Sequence, residues 1–282
     1  MKKNAYSDYT INFTRKALTF LTKHCNLNNP DTVKTFIANH KTSNHYKRNL
    51  AIAYNKYVKY YKLSWNMPLY KQPQKMPSIP TTQKLKMLIA HARRNLSAKL
   101  KISMETGLRP VEVMNLKVKD VNLDTKTIYP STAKNGLPRT LKITVETTEM
   151  LKTHVIKHKL NPTDKLFKGT SNTYGKQFRQ MRNNLATKLQ DPTIRNIRLY
   201  DFRHYYATTL YAKTKDILFV KQQLGHKKIE TTLIYTQLIH LNEEEEYTCK
   251  TANNIKDATA LIGAGFEYIT EIEGLKLFRK RK

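Results

Sequence analysis

Apolar residues recur at helical spacing through most of the chain, and the breaks in that pattern divide it. Within 5–65, Phe13, Ala17, Leu18, Phe20 and Leu21 form one stripe, and Val33, Phe36 and Ile37 form a second. Leu50, Ile52, Ala53, Tyr57, Val58 and Tyr61 form a third. Lysines, asparagines and tyrosines fill the other faces, which predicts a small helical bundle with a basic face. Asn29-Pro30-Asp31 supplies a cap and a first-turn proline for the second helix. The pattern then stops. The stretch NMPLYKQPQKMPSIPTT carries four prolines among polar residues with no period, an extended linker that puts a boundary near Pro80.

Helical stripes resume over 82–93 and 96–105, the second ending at Gly107, a natural left-handed C-terminal position. LRPVEVMNL opens a further helix with Pro110 in its first turn. Arg109 thereby stands at a helix N-terminus, where the dipole and free amides favour an anion. Residues 127–129 and 139–145 read as strands joined by STAKNGLP, in which Asn135-Gly136 signals the turn and Lys134 rides on it. Helices follow over 146–158 and 172–189. Residues 199–236 then give a helix bearing Arg203, a break at Gly225-His226, and a helix bearing Tyr235. Beyond the acidic run 243–246 come a helix over 255–262 and two strands, FEYIT and LKLFRKRK, around Glu273-Gly274. A helix and hairpin of this size cannot hold a core alone, so this tail is expected to dock on the body or on a neighbouring subunit. The fold class expected is mainly α with a small β-sheet. A helical domain spans 1–65, a linker 66–81, an α+β domain 82–247 and the tail 248–282.

Charge narrows the function. With 51 Lys and Arg against 21 Asp and Glu, the net charge of +30 suits a phosphate backbone, whose counterions such a surface displaces. Anionic membrane is the rival partner, and a merely basic soluble protein is the plainer alternative. MKKNAYSDYT has no apolar run behind its lysines, and no stretch approaches the roughly 20 apolar residues of a membrane span. Two cysteines, Cys25 and Cys249, lie too far apart for a zinc motif or a disulfide framework. A soluble cytoplasmic protein with double-stranded DNA as its partner is the expectation.

Two motifs fail on inspection. GTSNTYGKQ is one residue too long for a nucleotide-binding loop, and Gln177 stands where Ser or Thr should bind magnesium. His154 and His158 have helical spacing but lack the glutamate of a metalloprotease, so an exposed helix face is expected. No metal or nucleotide cofactor is called for. That leaves phosphate chemistry carried by side chains. A tyrosine hydroxyl can attack a phosphodiester if guanidiniums grip the non-bridging oxygens and stabilise the developing charge. The phosphotyrosine ester keeps the bond energy, so resealing needs no ATP. Taken singly, Arg109 could be a surface residue, Lys134 a solvated turn residue, His226 a helix cap and Tyr235 a packed ring. Their order along the chain says more.

TGLRPVEV, AKNG, YDFRH, LGH and TTLIYT together resemble the tyrosine site-specific recombinases, the phage-type integrases and Xer-like resolvases. DFRHYYAT, KQQLGHKKIETTLIYT and the closing GFEYIT…GLKLFRKRK are most similar to the archaeal integrase-like branch. The resemblance covers 82–238 and implies a core-binding domain before the linker and a catalytic domain after it. It implies that Arg109 and Arg203 clamp the phosphate, Lys134 protonates the 5′ leaving oxygen, His226 hydrogen-bonds the phosphate, and Tyr235 is the nucleophile. Glu112 takes the place of a structural glutamate. Tyr200 departs from the histidine or lysine usual three residues before the second arginine. A phenol can still donate a hydrogen bond there, but it is no base near neutral pH. His204 is expected to be a buried structural residue. The resemblance implies a homotetramer on paired DNA sites. The readings that remain beside recombination are a noncatalytic DNA-binding protein, since 216–238 alone resembles a helix-turn-helix, and a type IB-like topoisomerase.

Overall fold

By its internal contacts the chain divides into two units, Met1–Lys75 and Met76–Lys282. The computed structural model describes residues 1, 5–72, 76–131, 136–239, 247–272 and 274–281. Lys134, Asn135, Glu273 and the acidic run 243–246 lie outside the described residues.

In the first unit α1 (Asp8–Thr22), α2 (Pro30–Asn39) and α3 (Asn44–Tyr61) follow the three stripes. Ser7, Asn29 and Ser43 each cap a helix by accepting a first-turn amide, which satisfies a donor that the helix itself cannot. Ala17, Leu21, Val33, Ile37, Leu50 and Val58 form the centre of the core. Ile52 and Tyr61, expected on the buried stripe, are exposed. Residue 52 is about 200° around the helix from residue 50, whereas Tyr54 lies one turn from both Leu50 and Val58. Tyr54 is the fully buried ring instead, and its hydroxyl donates to the Leu27 carbonyl at 2.8 Å.

The second unit begins with α4 (Thr82–His91), α5 (Arg94–Thr106) and α6 (Pro110–Asn115). A three-stranded antiparallel sheet follows, β1 (Val121–Asn122), β2 (Thr127–Ile128) and β3 (Leu141–Lys142), paired in that order. The β2–β3 pairing is the hairpin read from sequence; β1 is too short to leave a periodic signal. The strand expected over 139–145 shrinks to Leu141–Lys142, because Thr144 is already the cap of the next helix. Its amide and hydroxyl both donate to Glu105, at 3.0 and 2.9 Å. Then come α7 (Val145–His158), α8 (Ser171–Lys188), α9 (Leu199–Thr214), α10 (Ile217–Leu224) and α11 (Glu230–Ile239). The main core joins α5, α8 and α9 through Leu100, Ile102, Phe178 and Phe202. A smaller one, Ala207, Val220, Leu224, Tyr235 and Leu238, binds α9, α10 and α11. His154 is not on a wholly exposed face: it is half-buried and its Nε2 donates to the Leu166 carbonyl at 2.7 Å.

The last segment forms β4 (Tyr247–Ala252), α12 (Ile255–Gly263), β5 (Glu267–Ile272) and β6 (Leu275–Arg281), a sheet in the order β4-β6-β5. The expected helix and hairpin are present, and β4 adds a strand whose partner lies far along the chain. Among the described residues, no helix is long and apolar enough to cross a membrane.

Candidate active site

The site is assembled where four chain breaks meet. α5 stops at Gly107, whose φ of +63° is the left-handed geometry expected of it. A Cβ there would come within 2.4 Å of the Tyr206 ring, so glycine is required for packing as well as for backbone. The chain reverses through Leu108 into Arg109, the N-cap of α6. α10 stops at Gly225, also left-handed at φ +64°, and delivers His226. The base of the β2–β3 hairpin reaches this second glycine: the Leu137 amide donates to the Gly225 carbonyl at 3.3 Å.

Arg203 ties these breaks together from α9. It is buried, and its Nη1 donates to the Gly107 carbonyl at 2.7 Å while Nη2 donates to the Leu224 carbonyl at 2.7 Å. Both acceptors close a helix at its C-terminus, where carbonyls lack partners and the dipole is negative, so two helix ends offset the burial of one guanidinium. Burial, and Arg109 nearby, still push its pKa down to about 10, which leaves it charged at neutral pH.

Glu112 is the counter-charge. Its carboxylate is fully buried and accepts from the Arg109 amide at 2.8 Å, Arg109 Nη1 at 3.0 Å and Arg139 Nη2 at 2.8 Å. Arg203 Nη1 stands 4.0 Å away. Burial alone would raise the Glu112 pKa; Arg139 and the Arg109 amide reverse that and hold it below the ordinary value. The anion at the start of α6 is thus the protein's own carboxylate. Three guanidiniums surround one carboxylate, a net positive cluster. Among the described residues Arg203 Nε and Arg139 Nε and Nη1 are buried donors with no acceptor.

Arg139 was missed by sequence reading, yet a signal existed. Arg139, Leu141 and Ile143 are buried while Thr140 and Lys142 are exposed, so the arginine, two residues before β3, falls in phase with the inward residues of the strand read over 139–145. An inward-phased charge marks a buried ion pair.

His226 is buried, with Nε2 3.0 Å from Arg203 Nη2 and Nδ1 2.9 Å from the Thr232 hydroxyl. The guanidinium can only donate, so Nε2 accepts and the ring proton sits on Nδ1, donated to Thr232. Burial first, then Arg203, Arg109 and Arg139, push its pKa down to about 3, so it is neutral. Tyr235 on α11 is 2% exposed, and its hydroxyl meets His204 Nδ1 at 3.1 Å. Burial pushes its pKa up to about 12, with Arg203 and Arg109 pulling the other way. His204 is half-buried rather than enclosed, and its neighbour is Tyr235, not inert core. Tyr200 stands at the rim, 40% exposed, its ring edge-on to His204 at 5.1 Å. Of the residues singled out from sequence, Arg109, Arg203, His226 and Tyr235 come together with Tyr200 at their edge. Lys134 lies outside the described residues.

Comparison with known proteins places the chain in a family and a fold. The sequence profile of the "Phage integrase family" matches residues 79–241. The chain is 28% identical over 197 residues to the tyrosine recombinase XerA of Saccharolobus solfataricus, covering 70% of this chain and 64% of that protein. The crystal structure of XerA recombinase is similar at a TM-score of 0.50 and 25% identity, covering 86% of this chain and 91% of that one. The XerH site-specific recombinase bound to its difH substrate in a pre-cleavage complex has a similar fold, at a TM-score of 0.56 and 24% identity over 77% of this chain and 71% of that one. The chain spans less than two thirds of the length of the first curated relatives that it matches, 64, 48 and 63%.

Proposed function

The chain belongs to the phage integrase family, and on that premise we propose that it is a site-specific DNA recombinase that cuts and rejoins duplex DNA through a 3′-phosphotyrosine intermediate. The observation that carries the reading is the three-arginine cluster around Glu112, with buried donors free at Arg203 and Arg139, opening beside His226 and Tyr235. Guanidiniums suit this task because they stay charged and hold planar anions by two hydrogen bonds.

In the proposed reaction Arg109 and Arg203 grip the non-bridging oxygens of the scissile phosphate. Tyr235 attacks phosphorus, the bond to the 5′ oxygen breaks, and Lys134 gives that oxygen a proton. The 3′ phosphate stays on Tyr235 as an ester, and a 5′ hydroxyl from a second strand reverses the step. ATP does not enter, since each ester bond broken is replaced by another, and in this reading the guanidiniums supply the charge stabilisation that a metal would otherwise give. His226 accepts from Arg203 in the DNA-free arrangement, so it donates to the phosphate only once Arg203 has turned to the phosphate and the ring proton is on Nε2, with Nδ1 then accepting from the Thr232 hydroxyl. Residues 1–65 would serve as the core-binding domain, 66–81 as the linker and 82–247 as the catalytic domain. The molecule would work in the cytoplasm, as a tetramer on paired sites, with the tail 248–282 exchanged between protomers.

The test starts from a pool of nicked duplexes with randomised cores, from which covalently trapped DNA is recovered and sequenced. A supercoiled plasmid bearing two direct repeats of the recovered duplex is then incubated with the protein in EDTA without ATP. Resolution into two circles is the expected result. Relaxation of any plasmid without exchange would favour a type IB-like topoisomerase. DNA binding with no covalent product would favour a noncatalytic regulator built on α10 and α11.

A further inference from the structure

We propose that His204 is the group that takes the proton from the Tyr235 hydroxyl as that oxygen attacks DNA. This rests on the recombinase reading above and adds to it the identity of the base.

The attacking oxygen must lose a proton, and its surroundings do not release one spontaneously. Tyr235 is 2% exposed and burial raises its pKa to about 12, so the phenolate is scarce at neutral pH. An acceptor within hydrogen-bond reach is therefore needed. Tyr200 is a phenol and a poor base near neutrality. His226 is committed at both ring nitrogens, Nε2 to Arg203 without DNA and to the phosphate in the reaction, and Nδ1 to Thr232, so it has no lone pair to offer. His204 Nδ1 stands 3.1 Å from the Tyr235 hydroxyl. Its ring is pushed toward the neutral form by burial, opposed by Asp201 and helped by Arg198 and Arg203. With its proton on Nε2, the Nδ1 lone pair accepts from the phenol.

The fold explains how that contact is held. Tyr200 and His204 are one helical turn apart on α9, so their side chains share a face, and the Tyr200 ring packs edge-on against the imidazole. α11 lies against the same face, bringing the Tyr235 and His204 ring centroids to 5.9 Å. Among the described residues, the groups facing His204 are Tyr200, Asp201 and Arg203 on α9, Arg198 at its cap, and Tyr235 on α11. When the proton arrives, the imidazolium lies near the buried Asp201 carboxylate, which favours the charged ring. In full, the Tyr235 O–H proton moves to His204 Nδ1, a phosphorus–oxygen bond forms to Tyr235, the bond to the 5′ oxygen breaks, and Lys134 protonates that oxygen. Religation returns both protons.

The experiment uses the full chain and the nicked duplex recovered by covalent trapping, following adduct formation in single turnover from pH 5 to 9. His204→Gln is expected to slow cleavage by roughly 10²–10⁴-fold near pH 7, the usual share of a general base. Its rate should then climb with pH, about tenfold per unit, while the wild type levels off above the His204 pKa. His204→Gly should be partly rescued by free imidazole. A 5′-bridging sulfur, which leaves without a proton, should restore Lys134→Ala and leave His204→Gln slow. A wild-type rate and pH profile in His204→Gln overturns the proposal. So does a pH-independent loss that imidazole does not rescue, or rescue of His204→Gln by the sulfur substrate. Equal adduct from Tyr235→Phe would instead overturn the recombinase reading on which the proposal rests.

Discussion

Glu112→Gln removes the charge that Arg109, Arg139 and Arg203 share, and its consequence can be sized. The carboxylate is fully buried, 3.0 and 2.8 Å from the first two guanidiniums and 4.0 Å from the third. Breaking a buried ion pair by deleting one partner typically costs about 3–5 kcal/mol, because the remaining charge is left uncompensated. In a folding unit of this size each kcal/mol moves Tm by about 2–4 °C, so a fall of roughly 6–20 °C is expected at pH 7. Two controls separate charge from shape. Inorganic phosphate or nonspecific duplex should raise the Tm of Glu112→Gln more than that of the wild type, since an anion can substitute for the missing carboxylate. The Glu112 pKa lies below its unfolded value of 4.5, so its stabilisation is complete above that pH and fades as pH falls through the folded value. The gap between wild type and variant should therefore narrow as pH falls below 4.5. Differential scanning calorimetry reads both. A variant that melts within about 2 °C of the wild type at pH 7, or a gap undiminished at low pH, would refute the counter-charge argument.

Three further outcomes follow from the same geometry. Gly225→Ala places a Cβ at φ +64°, 2.7 Å from Arg139 Nη1 and 3.0 Å from the Leu137 carbonyl oxygen; it should cost at least about 1–2 kcal/mol, read by urea unfolding, and also slow adduct formation. His226 has a pKa of about 3 in the fold against 6.5 when free, so the unfolded chain binds its proton first and stability should fall as pH drops from about 6.5 toward 3; His226→Asn should flatten that limb in an acid titration of Tm, leaving the share of His204 and His154, whose values are lowered in the same direction. Deleting 248–282 should impair recombination and protein assembly on DNA, followed by sedimentation, more than cleavage of a single site.

Local chemistry made much of this legible in sequence. Pro30, Gly107, Pro110 and Gly225 mark helix ends by backbone geometry alone, and all four stand at helix ends in the structure. The stripes of α1 and α2 named their core residues. Where neighbours decide, sequence was weaker. Tyr54 displaced Ile52 from the core because a hydroxyl can be buried once the Leu27 carbonyl accepts it. β4 depends on β6, about thirty residues later, and its own residues alternate too weakly to announce a strand. In the site, Arg109, Arg203, His226 and Tyr235 stood out by motif. Arg139 and Thr232 act through contacts 27 residues from Glu112 and 6 from His226. His204 reads in sequence as a structural residue, because only α11 laid against α9 reveals the hydroxyl beside it.

The central claim is that Tyr235 carries DNA covalently, and mass spectrometry can read that atom directly. Wild-type protein is trapped on the nicked duplex, digested with nuclease and protease, and the modified peptide sequenced. The account predicts a 3′-linked nucleotide on the Tyr235 hydroxyl and no adduct from Tyr235→Phe. A nucleotide on any other residue, or an adduct that survives Tyr235→Phe, would contradict it.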